Sequence, residues 1–157
     1  MNNDNLVKIG FHVEDSLLGS HTETMFAEKL SENEYEIRNI PFGVFGVSWG
    51  DIVSATPAPD GLLMYDKTIK FSGHSTFRFK VFEDEKGDYT NSVIKRINAL
   101  GCGTETSGVV ENFVTIDVPS EVDPNMIGNL LAEEVKKNKD KFDFEEASVP
   151  SSYKSNK

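Results

Sequence analysis

Phe71-Ser72-Gly73-His74-Ser75-Thr76-Phe77-Arg78-Phe79, read FSGHSTFRF, is where the chain changes rhythm. Gly73 supplies a bend that residues with a Cβ resist. From Phe77 onward, Phe77, Phe79 and Val81 alternate with Arg78, Lys80 and Phe82, the period of a strand with one apolar face. Short strands and turns lie before this junction. After it, strands alternate with helices.

Upstream, Val7, Ile9, Phe11 and Val13 alternate with polar or small residues and predict a strand, followed by a loop at residues 15–20, DSLLGS. The run from His21 to Leu30 and the segment Glu34-Tyr35-Glu36-Ile37-Arg38 read as two further strands joined at Ser31-Glu32-Asn33. Asn39-Ile40-Pro41-Phe42-Gly43 interrupts the pattern, because proline cannot donate to a ladder. Trp49-Gly50-Asp51 reads as a turn, Ile52-Val53 as a resumed strand, Pro57 to Gly61 as a turn, and Leu62 to Ile69 as another strand. Several short strands with frequent turns predict a small, strongly curved barrel over residues 1–70.

Downstream, Val93, Ile94, Ile97 and Leu100 share a helical face, with Asp88 or Thr90 as the expected amino-terminal cap and Gly101 as the stop. Two strands follow within 102–118, bent near Ser107-Gly108. Asp123-Pro124 opens a second helix whose stripe is Met126, Ile127, Leu130, Leu131 and Val135 and whose end is basic at Lys136, Lys137 and Lys139. Phe142 to Val149 returns as a strand, and 150–157 reads as a flexible tail. The expected fold is α+β: a barrel-like half, then a ferredoxin-like βαββαβ half over 71–149.

FAEKL, YEIRNIPFGVFGVSWGDIVSA, SGHSTFRF, ALGC and DFEEA occur in this order. In that combination the chain resembles the bacterial DUF4265 family over about residues 6–148. The resemblance implies domain limits and assigns neither an activity nor a catalytic residue.

With 157 residues, 38% of them hydrophobic and eleven phenylalanines, the chain has the composition of a globular protein with an aromatic-rich core. A single cysteine, Cys102, leaves no internal disulfide framework and fits a reducing, cytoplasmic setting. The amino terminus lacks the basic start and apolar core of a secretion signal, and the sequence holds no run of about eighteen apolar residues, so no membrane span is expected. The net charge is −10, with eleven acids against five bases in residues 1–70. Such a charge repels nucleic acid and anionic lipid and favours a basic protein partner.

His74 is the best placed of three histidines for proton transfer, beside Ser72, Ser75 and Thr76. Neighbours along one strand diverge, however, and a nucleophile normally meets its base from another segment, so a structural hinge with His74 bonded across the junction is the expected role. His12, His21 and Cys102 show no metal-ligand spacing, and neither a metal nor a cofactor is expected. Cys102, in GCGTE, has no neighbouring cation and reads as a small buried residue. GVFGVSWGD does not spell a phosphate loop. Paired acids such as Glu133-Glu134 and Glu145-Glu146 read as solvated.

These residues predict no catalytic site. They favour a non-catalytic acidic module that covers a basic protein, as an immunity protein covers a nuclease-type toxin. Glu32, Glu34, Glu36, Phe45, Trp49 and Asp51 are the expected contacts. The alternative is a small enzyme or ligand-sensing domain at His74 and Ser75.

Overall fold

The computed structural model describes residues 5–14 and 21–149; the expected loop at 15–20 and tail at 150–157 lie outside them. It is a mixed α+β structure with two helices, a five-stranded sheet and a four-stranded sheet.

The strands β1 (Leu6–Val13), β2 (His21–Ser31), β3 (Glu34–Ile37), β4 (Ile52–Pro57) and β5 (Leu63–Lys70) form a closed barrel. Antiparallel neighbours follow chain order, and β1 closes the ring by pairing parallel with β5 at Ile9–Leu63 and Gly10–Met64. Gly10 sits at this seam against the side chains of Met64 and Leu62. A Cβ there would stand 2.7 Å from the Met64 sulfur and 3.1 Å from Leu62 Cδ2. Alternation fills the interior with Ile9, Phe11, Val13, Met25, Ala27, Tyr35, Ile37 and Val53.

The second sheet comprises β6 (Ser75–Val81), β7 (Gly103–Thr106), β8 (Phe113–Val118) and β9 (Phe142–Ser148), in the order β7-β8-β6-β9. Phe77, Phe79 and Val81 on β6 and Val114, Ile116 and Val118 on β8 form one apolar face. Helices α1 (Asp88–Ala99) and α2 (Pro124–Lys137) cover it with Val93, Ile97, Ile127 and Leu131. Helix α2 begins as the sequence predicts: the Asp123 carboxylate accepts the Asn125 N–H and Pro124 follows it.

Helix α1 does not. Its N-cap is Gly87, in the left-handed region at φ 70°, rather than Asp88 or Thr90. Asp84, before the glycine, reaches over to accept both the N–H and the hydroxyl of Thr90 at 2.8 and 2.7 Å. A carboxylate six residues upstream therefore does the work expected of a local cap.

The two sheets meet through residues 38–51, between β3 and β4. This segment crosses the face of the second sheet opposite the helices, where Thr76, Arg78 and Thr115 bond to it.

Candidate functional site

Arg78 lies in the middle of β6, and strand alternation turns it away from the helices toward the crossing segment. Its side chain is fully buried. Nε donates to Glu145 of β9 at 2.6 Å, Nη1 to the Val44 carbonyl at 2.9 Å and Nη2 to the Gly43 carbonyl at 3.2 Å. The ring of Phe45 lies over the guanidinium, 4.9 Å from its carbon. Burial pulls the Arg78 pKa down, while the Glu145 and Glu23 carboxylates favour the cation.

Glu23 of β2 holds the same turn by its donors: the N–H groups of Phe42, Gly43 and Val44 point at its two oxygens at 2.7, 2.8 and 3.1 Å. A buried cation thus binds the carbonyls of the turn and a carboxylate binds its amides. Thr115 donates to the Pro41 carbonyl at 2.7 Å, and the Gly46 N–H donates to the Ala147 carbonyl at 2.8 Å. A tightly fixed backbone results, and it presents Phe45, 43% exposed.

Further along, Asp51 is 1% exposed. Its carboxylate accepts the Ser48 N–H at 2.9 Å and the Ser72 N–H at 2.8 Å. The Ser72 hydroxyl donates to the Trp49 carbonyl at 2.6 Å and accepts the His74 N–H at 3.1 Å. Hydroxyls of Ser48 and Thr76 meet at 2.7 Å. Burial pushes the Asp51 carboxyl above its ordinary value, against the amides of Ser72 and Ser48, which favour the anion. Gly73 turns the chain at φ 93°.

The ring of His74 meets Asp117 of β8, Nδ1 to Oδ1 at 2.8 Å. Burial raises Asp117, and the His74 contact works in the opposite direction. The bond across the junction expected of His74 is therefore displaced. Its ring is bonded within the second sheet, and side-chain bonds between the halves come from Ser72, Thr76, Arg78 and Thr115, beside the Gly46–Ala147 backbone bond. Ser75 is buried at the start of β6. An apolar cleft of about 430 Å³, lined by His21, Phe42 and residues 107–110, does not include the His74 ring in its lining.

The expected contact residues are split by the fold. Phe45 and the half-buried Trp49 ride on the fixed segment. Asp51, in the same segment, is enclosed and engaged by backbone amides, which removes it from any contact surface. Glu36 faces outward on β3 but is paired with Arg38 at 2.8 Å, as is Glu28. Glu32 in the β2–β3 turn and Glu34 at the start of β3 are exposed. Glu34 borders an open depression of about 580 Å³ with Ser31, Asn33, Ser54, Lys67, Thr68 and Ile69.

Arg78, Glu145, Glu23 and Asp117 escape the sequence reading. Alternation marks Arg78 as facing away from the apolar side, but it does not say that a distant segment covers that side. Glu145 and Glu134 were read as solvated. Glu145 instead binds Arg78. Glu134, 2% exposed, binds the Tyr89 hydroxyl and, at 2.5 Å, Arg96. Among the described residues, no group of three or more His, Cys, Asp or Glu could hold a metal ion, and no helix is long and apolar enough to cross a membrane.

A family model described as "Domain of unknown function (DUF4265)" matches residues 23–141, which include both carboxylate and guanidinium clamps. The chain belongs to the DUF4265 family. No curated protein matches it. A solved structure titled "Novel crystal structure of a hypothetical protein from Neisseria gonorrhoeae" is similar at a TM-score of 0.72 and 19% identity, over 90% of this chain and 94% of that one. At that identity the likeness concerns the fold alone.

Proposed function

We propose that this DUF4265 protein is a non-catalytic, acidic protein-binding module that covers a basic partner, with a nuclease-type bacterial toxin domain as the partner class its charge fits. The observation that carries the reading is the segment 41–46, clamped by Glu23 and Arg78, which holds Phe45 half-exposed over a buried cation. Binding loses less conformational entropy when an anchor is already fixed, and aromatic anchors dominate interface energetics. A charge of −10 speeds encounter with a basic surface. Glu32 and Glu34 are exposed to add acidic contacts.

A second reading rests on the His74–Asp117 pair, an oriented imidazole 24% exposed, which suits a ligand-sensing or proton-transferring group. It ranks below the first because the hydroxyl next to it, on Ser72, is already bonded to Trp49 and His74.

The same proposal includes a ferredoxin-like second half: the strand order β7-β8-β6-β9, with helices between β6 and β7 and between β8 and β9, supports it. It also places the boundary between halves near residue 70 and the protein in the cytoplasm, which one free, buried cysteine supports.

The test is to inspect the gene's neighbours for a basic toxin-type domain and to co-express this protein with the domain so found. Rescue of growth, a complex that survives gel filtration, and an affinity that falls as salt rises would support the reading. Phe45→Ala should weaken that complex at least tenfold, roughly the effect of losing one hot-spot aromatic. A neighbouring metabolic operon with no basic partner, or a complex indifferent to salt, would count against it.

A further inference from the structure

The apolar cleft of about 430 Å³ lies where three separately fixed pieces of chain meet. His21 opens β2, Phe42 belongs to the clamped turn, and Ser107, Gly108, Val109 and Val110 lie in the bend between β7 and β8. Each wall is held from behind. The Phe42 N–H donates to Glu23 at 2.7 Å, and its ring lies 6.3 Å, centroid to centroid, from that of Phe113. The Ser107 hydroxyl accepts the N–H groups of Val109 and Val110 at 3.1 and 2.9 Å, while the Ser107 N–H donates to the Phe113 carbonyl at 3.0 Å. The His21 ring rests against Gly43, where a Cβ would stand 2.9 Å from its Cε1. Val109 lines the cleft yet is 94% exposed, so part of the apolar wall faces water.

We infer that this cleft binds a small, uncharged aromatic molecule, of the order of indole in size. The lining selects each part of that description. It includes no Asp, Glu, Lys or Arg among the described residues, so a charged group placed there would give up hydration without meeting a counter-charge. The net charge of −10 adds a field that repels anions. Phe42 and His21 supply two flat rings, and a ring packed against rings gains contacts that an aliphatic group of equal area does not. The volume falls in the range of clefts that take small molecules, and walls already fixed by hydrogen bonds need little ordering on binding. This site goes beyond the protein-binding reading, and either can fail without the other.

The experiment titrates the labelled full chain with indole, with the charged rings benzoate and benzylammonium, and with the aliphatic cyclohexanol, while amide chemical shifts are followed. Indole should give saturable shifts at Phe42, Gly43 and residues 107–110, with a Kd of about 1 mM or below, as suits a ligand of so few atoms in a matched cleft. Both charged rings and cyclohexanol should bind several-fold more weakly or not at all. Val109→Asp puts a carboxylate on a side chain that is already exposed, so the protein should stay folded, and indole affinity should fall roughly tenfold because the ligand would now have to strip water from a charge. Shifts that do not saturate, shifts centred on another exposed ring such as Phe45 or Phe71, equal binding by a charged ring or by cyclohexanol, or unchanged indole affinity in the folded variant would overturn the inference.

Discussion

Removing the Arg78 side chain tests the architecture most directly. Arg78 is fully buried and its partner Glu145 is 17% exposed, so Arg78→Met leaves a largely enclosed carboxylate without its cation. Breaking a buried pair from one side costs about 3–5 kcal/mol. The same change strips the donors from the carbonyls of Gly43 and Val44, and an unsatisfied buried polar group costs about 1–3 kcal/mol. These costs overlap, because the loosened turn can relax toward water. A net loss of about 4 kcal/mol is expected, equivalent in a chain of this size to roughly 8–16 °C in melting temperature. Urea unfolding followed by far-ultraviolet circular dichroism measures it. Trp49, the only tryptophan, rides on the clamped segment and reports local release by its fluorescence. A second variant separates the two causes. Arg78→Met with Glu145→Leu removes both charges and should recover the ion-pair part, yet stay about 1–3 kcal/mol below the parent, because the two carbonyls remain unpaired. A loss below about 1 kcal/mol in the single variant, or full recovery in the double one, would refute the clamp.

The remaining predictions concern the junction and its surroundings. Burial raises Asp51 and Asp117 above the ordinary 3.8, so between that value and their folded values the native state holds more protons than the unfolded chain. Stability contributed by these groups therefore falls as pH rises through that window; Asp51→Asn should flatten part of the fall in an unfolding series run upward from the ordinary carboxylate range, and an unchanged slope would contradict the assignment. Gly73→Ala forces a Cβ at φ 93° to within 3.1 Å of Ser120 Cβ, and should cost about 1–2 kcal/mol in thermal unfolding; an unaltered midpoint would mean the turn relaxes freely. Burial first, and the Asp117 charge second, push the Cys102 thiol up to about 11. A disulfide reagent at neutral pH should consequently react far more slowly with native than with urea-unfolded protein, and equal rates would show the thiol to be open.

Strands and helices were legible because period-two and helical patterns are local. The alternation of Phe77, Phe79 and Val81 located β6, and Asp123-Pro124 located the start of α2. What sequence could not show was which distant segment lies over which face. Arg78 has the alternation of a solvent-facing residue, and only the crossing segment makes it interior. Asp51 reads as the acid of a surface turn, yet its carboxylate caps the backbone of Ser48 and Ser72 across the junction. The helix cap failed for a related reason: Gly87 interrupts the spacing, so a carboxylate six residues away replaces the local one. Side-chain to backbone bonds across many residues leave no periodic trace.

The long connection at 38–51 explains why an irregular segment holds a fixed shape between two regular sheets. A connection of this length with no strand or helix of its own is uncommon in a compact domain unless something else fixes it. Here the fixing groups come from both sides. Glu23 belongs to the barrel, whereas Arg78, Thr76 and Thr115 belong to the second sheet. Each sheet alone would satisfy only some of the polar groups of the segment and leave the others to water. The position of Phe45 is consequently a property of the two sheets docked together, and neither half taken separately would present that ring in a defined orientation. A binding anchor built this way couples affinity to the integrity of the junction, so a substitution at a residue that never touches a partner, such as Arg78 or Glu23, acts on binding through the backbone it holds.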